Sequence, residues 1–207
     1  MKMMMKVTIN SSKIFLFASL LFLLACGDDD SGVDRIKSPD ATAQITGMLK
    51  MSDTTYSVNA TPYGEVLLYD EDSLIRMVIN LTNFNPNTTH AIHVHNGSCE
   101  QPGMHWNQNK PMTERFCGTL SLGIPWAKPF AGDVGNVSVD YQGNGSVTIK
   151  TNLWSIGTND DSDLINRSIV VHETLSDFNG ECDPMHDHVH THANPKIACG
   201  MILLNQE

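Results

Sequence analysis

His90-Ala91-Ile92-His93-Val94-His95 is a six-residue run in which β-branched and imidazole side chains alternate. Alternation with period two is the mark of a strand. On a strand, His93 and His95 project from one face with Cα atoms about 6–7 Å apart, so both imidazoles can reach one metal ion. His90, Ile92 and Val94 then face the other way, into a core.

Comparable β-rich stretches recur on both sides of this run, over residues 43–50, 64–69, 74–81, 136–141, 146–151, 168–172 and 198–203. Gly143-Asn144-Gly145 lies between two of them and is a hairpin signal. No segment carries a sustained helical period with caps. Eight short strands of this kind predict an all-β domain, a sandwich or a barrel.

Two connections are long, 96–135 and 173–197. Loops beyond about 12–15 residues in a compact domain tend to carry function, and these two hold or flank the cysteines and border the histidines. The site is therefore expected where they meet. His105, in the first loop, and His172, ending a strand, can complete a four-imidazole site with His93 and His95. Imidazole-only ligation suits Cu(II) first and Zn(II) next. A second cluster, His186, His188, His190 and His192, alternates at period two. It suits either an accessory metal site, which would recruit or buffer copper or supply substitute zinc ligands, or a solvated loop.

Residues 1–25 carry Lys2, Lys6 and Lys13, no acid, and an apolar run from Ile14 to Ala25. A spanning helix needs about 20 apolar residues, so this run reads as a secretory signal. It ends Leu23-Leu24-Ala25-Cys26, which resembles a bacterial lipobox, with Cys26 lipidated and N-terminal after cleavage. Residues 26–40, rich in Asp, Gly, Ser and Pro, read as a flexible tether, and 41–207 as one domain. The acidic run after Cys26 fits a surface-export signal or a solvated spacer. These features place the chain in the cell envelope, anchored by lipid to the outer membrane at its periplasmic face or at the cell surface.

The whole chain has 13 basic and 23 acidic side chains and a net charge of −10; without the three signal lysines the charge is −13. Such acidity argues against nucleic acid and anionic headgroups as partners. Export permits disulfides. Cys99, Cys117, Cys182 and Cys199 allow three pairings, and no C-x-x-C motif points to a zinc ribbon.

Taken together, His90-Ala91-Ile92-His93-Val94-His95, Gly97-Ser98-Cys99, Gly103-Met104-His105-Trp106-Asn107, Gly132-Asp133-Val134-Gly135-Asn136-Val137, Val170-Val171-His172-Glu173 and Ala198-Cys199-Gly200-Met201-Ile202 resemble copper/zinc superoxide dismutases. The resemblance implies an eight-stranded Greek-key β-barrel with two long active-site loops. It implies copper at His93, His95, His105 and His172, a Cys99–Cys199 disulfide, and a structural role for His90. The remaining cysteines, Cys117 and Cys182, would then pair and tie the two loops together. The implied activity is dismutation of superoxide to oxygen and hydrogen peroxide, with His105 releasing from copper on reduction and donating a proton.

Two departures from the family pattern stand out. Asp133 matches the aspartate of the zinc site, but no histidine lies between His105 and Asp133, and Phe130 occupies the position three before Asp133. A lone carboxylate and a shared imidazole cannot complete tetrahedral zinc, so the copper-only branch is the better match and zinc is doubtful. The family's anion-guiding arginine lies three residues before the second disulfide cysteine, where this chain has Lys196. Lysine keeps the charge and loses the planar fork of donors. The alternative to catalysis is a copper-binding or copper-buffering lipoprotein on the same fold.

Overall fold

In the computed structural model, residues 37–118, 129–178, 182 and 194–205 are described. They form nine strands: β1 (Ala41–Lys50), β2 (Tyr56–Glu71), β3 (Leu74–Leu81), β4 (Thr89–His95), β5 (Asp133–Ser138), β6 (Gly145–Thr151), β7 (Ser168–His172), β8 (Lys196–Met201) and the two-residue β9 (Leu203–Leu204). All pairings are antiparallel, in the order β5-β4-β7-β8-β1-β2-β3-β6, with β9 on β1. The two ends of this sheet, β5 and β6, come together to give a nearly closed Greek-key barrel.

Period two decides which side chains fill it. Ile75, Met77, Ile79 and Leu81 on β3 point inward, opposite Val66 and Leu68 of β2 and Ile149 of β6. Each such aliphatic side chain contributes about 1.5–3 kcal/mol on full burial. β4 and β7 differ from the rest, because β7 is buried along its whole length and β4 from His90 onward. One face of this pair, with Ile92, Val94, Ile169 and Val171, belongs to the core. The other face lies under the long loops and carries the histidines.

Several strand limits depart from the expected ones for local reasons. β5 ends at Ser138 because the Asp140 carboxylate accepts the Gln142 and Asn144 N–H groups, winding 139–144 into a turn. Gly143 there has φ +82°, and a Cβ would lie 2.3 Å from the Phe84 carbonyl oxygen. β2 starts at Tyr56 rather than near Gly64, since register shifts after Ile45 and Thr46 let Pro62 pair with Thr46 inside the ladder. The last expected strand divides at buried Ile202 into β8 and β9.

Candidate metal centre

Sheet register brings three of the histidines together. His93 and His95 stand on the loop-covered face of β4, opposite Val170 and Ser168 of β7, and His172 ends β7 on the same face. His90, of opposite parity, packs its ring 4.7 Å from Phe84 and donates Nδ1–H to the His172 carbonyl oxygen at 2.9 Å. The fourth imidazole arrives on the loop after β4, where His105 forms a bridge with His95. Trp106 N–H bonds Val94 O at 2.8 Å and Gly132 N–H bonds Trp106 O at 2.9 Å, seating the fully buried indole beneath the site.

The ligand-capable nitrogens of His93, His105 and His172 lie within 4.8 Å of one another, the one such group among the described residues. His93 Nδ1 is 2.9 Å from His105 Nδ1, and His95 Nε2 is 3.4 Å from His172 Nε2. Donors about 2.0 Å from one metal, at angles between square and tetrahedral, are themselves roughly 2.8–3.3 Å apart. Backbone carbonyls fix two tautomers: His95 Nδ1–H donates to Gly103 O at 3.1 Å, and His172 Nδ1–H to Asn194 O at 2.9 Å. Each leaves its Nε2 lone pair facing the cluster. Burial, and next the neighbouring imidazoles, lower the His93 pKa to about 4 and that of His172 to about 2, and push His95 well below its ordinary value. These rings are neutral at neutral pH, as ligands must be.

Asp133, only 1% exposed, closes the far side. Its Oδ2 accepts the Phe130 N–H at 2.8 Å, while Oδ1 faces His93 Nδ1 at 3.2 Å and His105 Nδ1 at 3.6 Å with no hydrogen bond completed. Burial raises its pKa, but the two imidazoles outweigh this and keep the carboxyl below its usual range. A buried carboxylate beside imidazole nitrogens is a donor set suited to a cation.

A sequence model described as copper/zinc superoxide dismutase matches residues 62–202. The chain belongs to the copper/zinc superoxide dismutase family. It is similar to the Cu-Zn superoxide dismutase of Neurospora crassa, with 27% identity over 142 residues, 66% of this chain and 84% of that protein. Among solved structures, it is similar to a mutant of a SOD-like protein from Bacillus subtilis, with TM-score 0.53 and 18% identity over 78% of this chain and 97% of that one. The clock protein EA4 gives TM-score 0.53 and 20% identity over 82% of this chain and 97% of its own. At these identities the two solved structures speak for the fold alone.

Two disulfides are formed: Cys99–Cys199, implied by the dismutase resemblance, and Cys117–Cys182, the pair expected from the two cysteines that remain. The first ties the loop after β4 to β8, and the second ties that loop to the one after β7. Phe130 is buried at the position where the dismutase pattern has a zinc histidine. Lys196 opens β8 directly opposite His172 and is half-buried. Burial and then Lys50 lower its pKa, and its charge in turn helps hold down those of His93, His95 and His172. Cys26 and His186, His188, His190 and His192 lie outside the described residues.

Four further residues shape the site without a sequence signal of their own. Asn194 fixes His172 through its backbone carbonyl, while its side-chain Oδ1 accepts the Thr174 N–H and Oγ1–H and its Nδ2 donates to Thr174 O. Gly103 fixes His95. Phe178 lays its ring 5.4 Å from that of His93. Tyr56 meets Lys196 from the β1–β2 hairpin.

Proposed function

We propose that this protein is a copper-dependent superoxide dismutase of the cell envelope, lipid-anchored to the outer membrane through Cys26, that works without zinc. The observation carrying the reading is the convergence of His93, His95, His105 and His172 beside a buried carboxylate, with the His95 and His172 lone pairs turned inward by backbone carbonyls. His93, His95, His105 and His172 would hold the copper. When bound, copper supplies one-electron redox chemistry, by which one superoxide loses an electron to become oxygen and another gains one, with two protons, to become hydrogen peroxide.

The chain's own residues do the rest. Lys196 provides positive charge beside the cluster, which matters because an acidic protein that consumes an anion must focus local potential within a screening length of about 8 Å. The buried Asp133 carboxylate faces the His93 and His105 rings across 3.2 and 3.6 Å and would supply negative charge to balance a bound cation. Zinc would find two ligands here, Asp133 and His105, out of the four a closed site needs.

The test is metal analysis of the purified chain together with superoxide consumption. One copper, no stoichiometric zinc and rapid consumption are expected. Copper bound without consumption would instead support copper buffering, the reading that Lys196 in the arginine position favours. For the anchor, Cys26→Ser should move the protein from the membrane fraction to the soluble envelope fraction.

A further inference from the structure

The β1–β2 hairpin runs past its bulges to a tip at 51–55, where the Ser52 hydroxyl accepts the Thr54 and Thr55 N–H groups at 3.3 and 3.1 Å. The tip does not stand free. Tyr56 N–H donates to Glu100 O at 2.9 Å, and Tyr56 and Val58 pack against the Cys99–Cys199 disulfide with Met48 and Val170. Between this tip and the loop before His105 is a cavity of about 240 Å³, lined by Asp53, Thr54, Tyr56, Pro102, Met104 and Lys196. It adjoins the metal centre, since neighbouring Gly103 holds His95 and Lys196 is in register with His172.

Lys196 makes no ion pair among the described residues. The hairpin acid that shares this cavity, Asp53, is engaged by Lys50 at 3.0 Å. The Lys196 ammonium lies instead 5.9 Å from the centroid of the Tyr56 ring, within reach of a cation–π attraction that leaves its charge unneutralised. A carboxylate in the same place would cancel the field that draws an anion.

We infer that Tyr56 is a positioning residue for Lys196: the hairpin tip holds the ammonium beside the histidine cluster and walls the approach of the anionic substrate. The inference rests on the superoxide reading for its consequence in rate, but not for the placement of the lysine.

The test uses the full chain with Tyr56→Leu, Tyr56→Phe, Lys196→Ala and the Tyr56→Leu/Lys196→Ala pair. In the metal-free protein, the NMR signal of the Lys196 Cε group reports its place against the ring. It should move in Tyr56→Leu and stay near its original shift in Tyr56→Phe. In the copper-loaded protein, Tyr56→Leu should lower superoxide consumption roughly 3-fold at low salt and flatten its dependence on ionic strength. Tyr56→Phe should restore both, and Tyr56→Leu should add nothing once Lys196 is alanine. An unmoved Lys196 signal in Tyr56→Leu, or a Tyr56→Leu effect that persists in the Lys196→Ala background, overturns the inference. If the copper-loaded parent consumes no superoxide, the superoxide reading fails by itself, and the lysine signal still decides the positioning.

Discussion

The two halves of the site are built on different physics. The inner half, His93, His95 and His172, stands on adjacent strands, where register sets the spacing and backbone carbonyls set two of the tautomers. The outer half, around His105 and Asp133 at the start of β5, depends on the loop between β4 and β5, which is held through side-chain bonds. The Asn107 amide donates to Pro111 O and Glu114 O, at 3.2 and 2.8 Å, and accepts Ala131 N–H at 3.1 Å. Trp154 Nε1–H reaches Ala131 O at 2.8 Å, and Cys117–Cys182 ties the two loops covalently. These bonds hold the described parts of the two loops, and we propose that they take over the ordering task of a second metal.

The largest contrast should come from metal binding. His172→Ala removes an inward lone pair and should lower copper affinity, read by competition with a chelator, by more than the roughly 10- to 100-fold that loss of an outer-shell partner costs. Superoxide consumption should fall with it. Zinc added to the copper-loaded parent should leave its melting temperature unchanged. A stabilisation that saturates at one zinc per chain would break the comparison, because the outer half would then hold a second metal of its own.

Next in size is the second disulfide. Its two cysteines are 65 residues apart, against 100 for Cys99–Cys199. In the chain-entropy model both closures stabilise by about 4–5 kcal/mol. Paired serine substitutions should thus cost similar amounts in urea unfolding while separating in function. Losing Cys99–Cys199 disturbs the packing beside the β4–β7 face and should lower copper affinity. Losing Cys117–Cys182 should leave copper affinity nearly intact and raise proteolytic sensitivity in the two loops.

The same division explains what could be read from sequence. The inner half was legible because a strand converts spacing into direction: H-x-H places two rings on one face, and the β-rich run 168–172 ends at a third. The barrel's core was legible for the same reason, and the strand of Leu74–Leu81 ran over the expected residues. In the outer half His105 was legible as the histidine of a long loop, but Asp133 was legible only through likeness to a family, because loop geometry depends on particular bonds. Nothing in the spacing of Asn107, Asn194 or Gly103 announces that one amide organises a loop or that a carbonyl fixes an imidazole. Tyr56 was hidden because a stretch with Pro62 in it does not advertise a strand. Only the bulges in β1–β2 let the hairpin extend to Lys196.

Asn107 allows a smaller test of the loop-built half. It is 2% exposed and meets three backbone groups. Asn107→Ala would leave those groups without their partner, a loss of about 3 kcal/mol. Urea unfolding of the metal-free protein measures it. A loss below about 0.5 kcal/mol would mean that water replaces the amide and that the outer half is looser than its bonds suggest.

The smallest effect is graded with pH and belongs to the inner half. His93 and His172 have folded-state pKa values of about 4 and about 2, while an unfolded histidine titrates near 6.5. As pH falls below 6.5 the unfolded chain takes up protons that the fold refuses, so stability is complete above that value and is lost as pH drops. The slope is up to ~1.4 kcal/mol per pH unit for each such ring. The His93 contribution levels off near pH 4, and that of His172 continues toward 2. Asp133, whose pKa is lowered from 3.8, gives way only at more acid pH. Urea midpoints of the metal-free protein between pH 8 and 5 should therefore fall, with the slope reduced in His93→Ala and again when His172→Ala is added. Asp133→Asn should leave the slope in this window unchanged. If it is Asp133→Asn that flattens the slope, the acid response belongs to the loop-built half, and the strand-borne rings are less deeply excluded from water than their register implies.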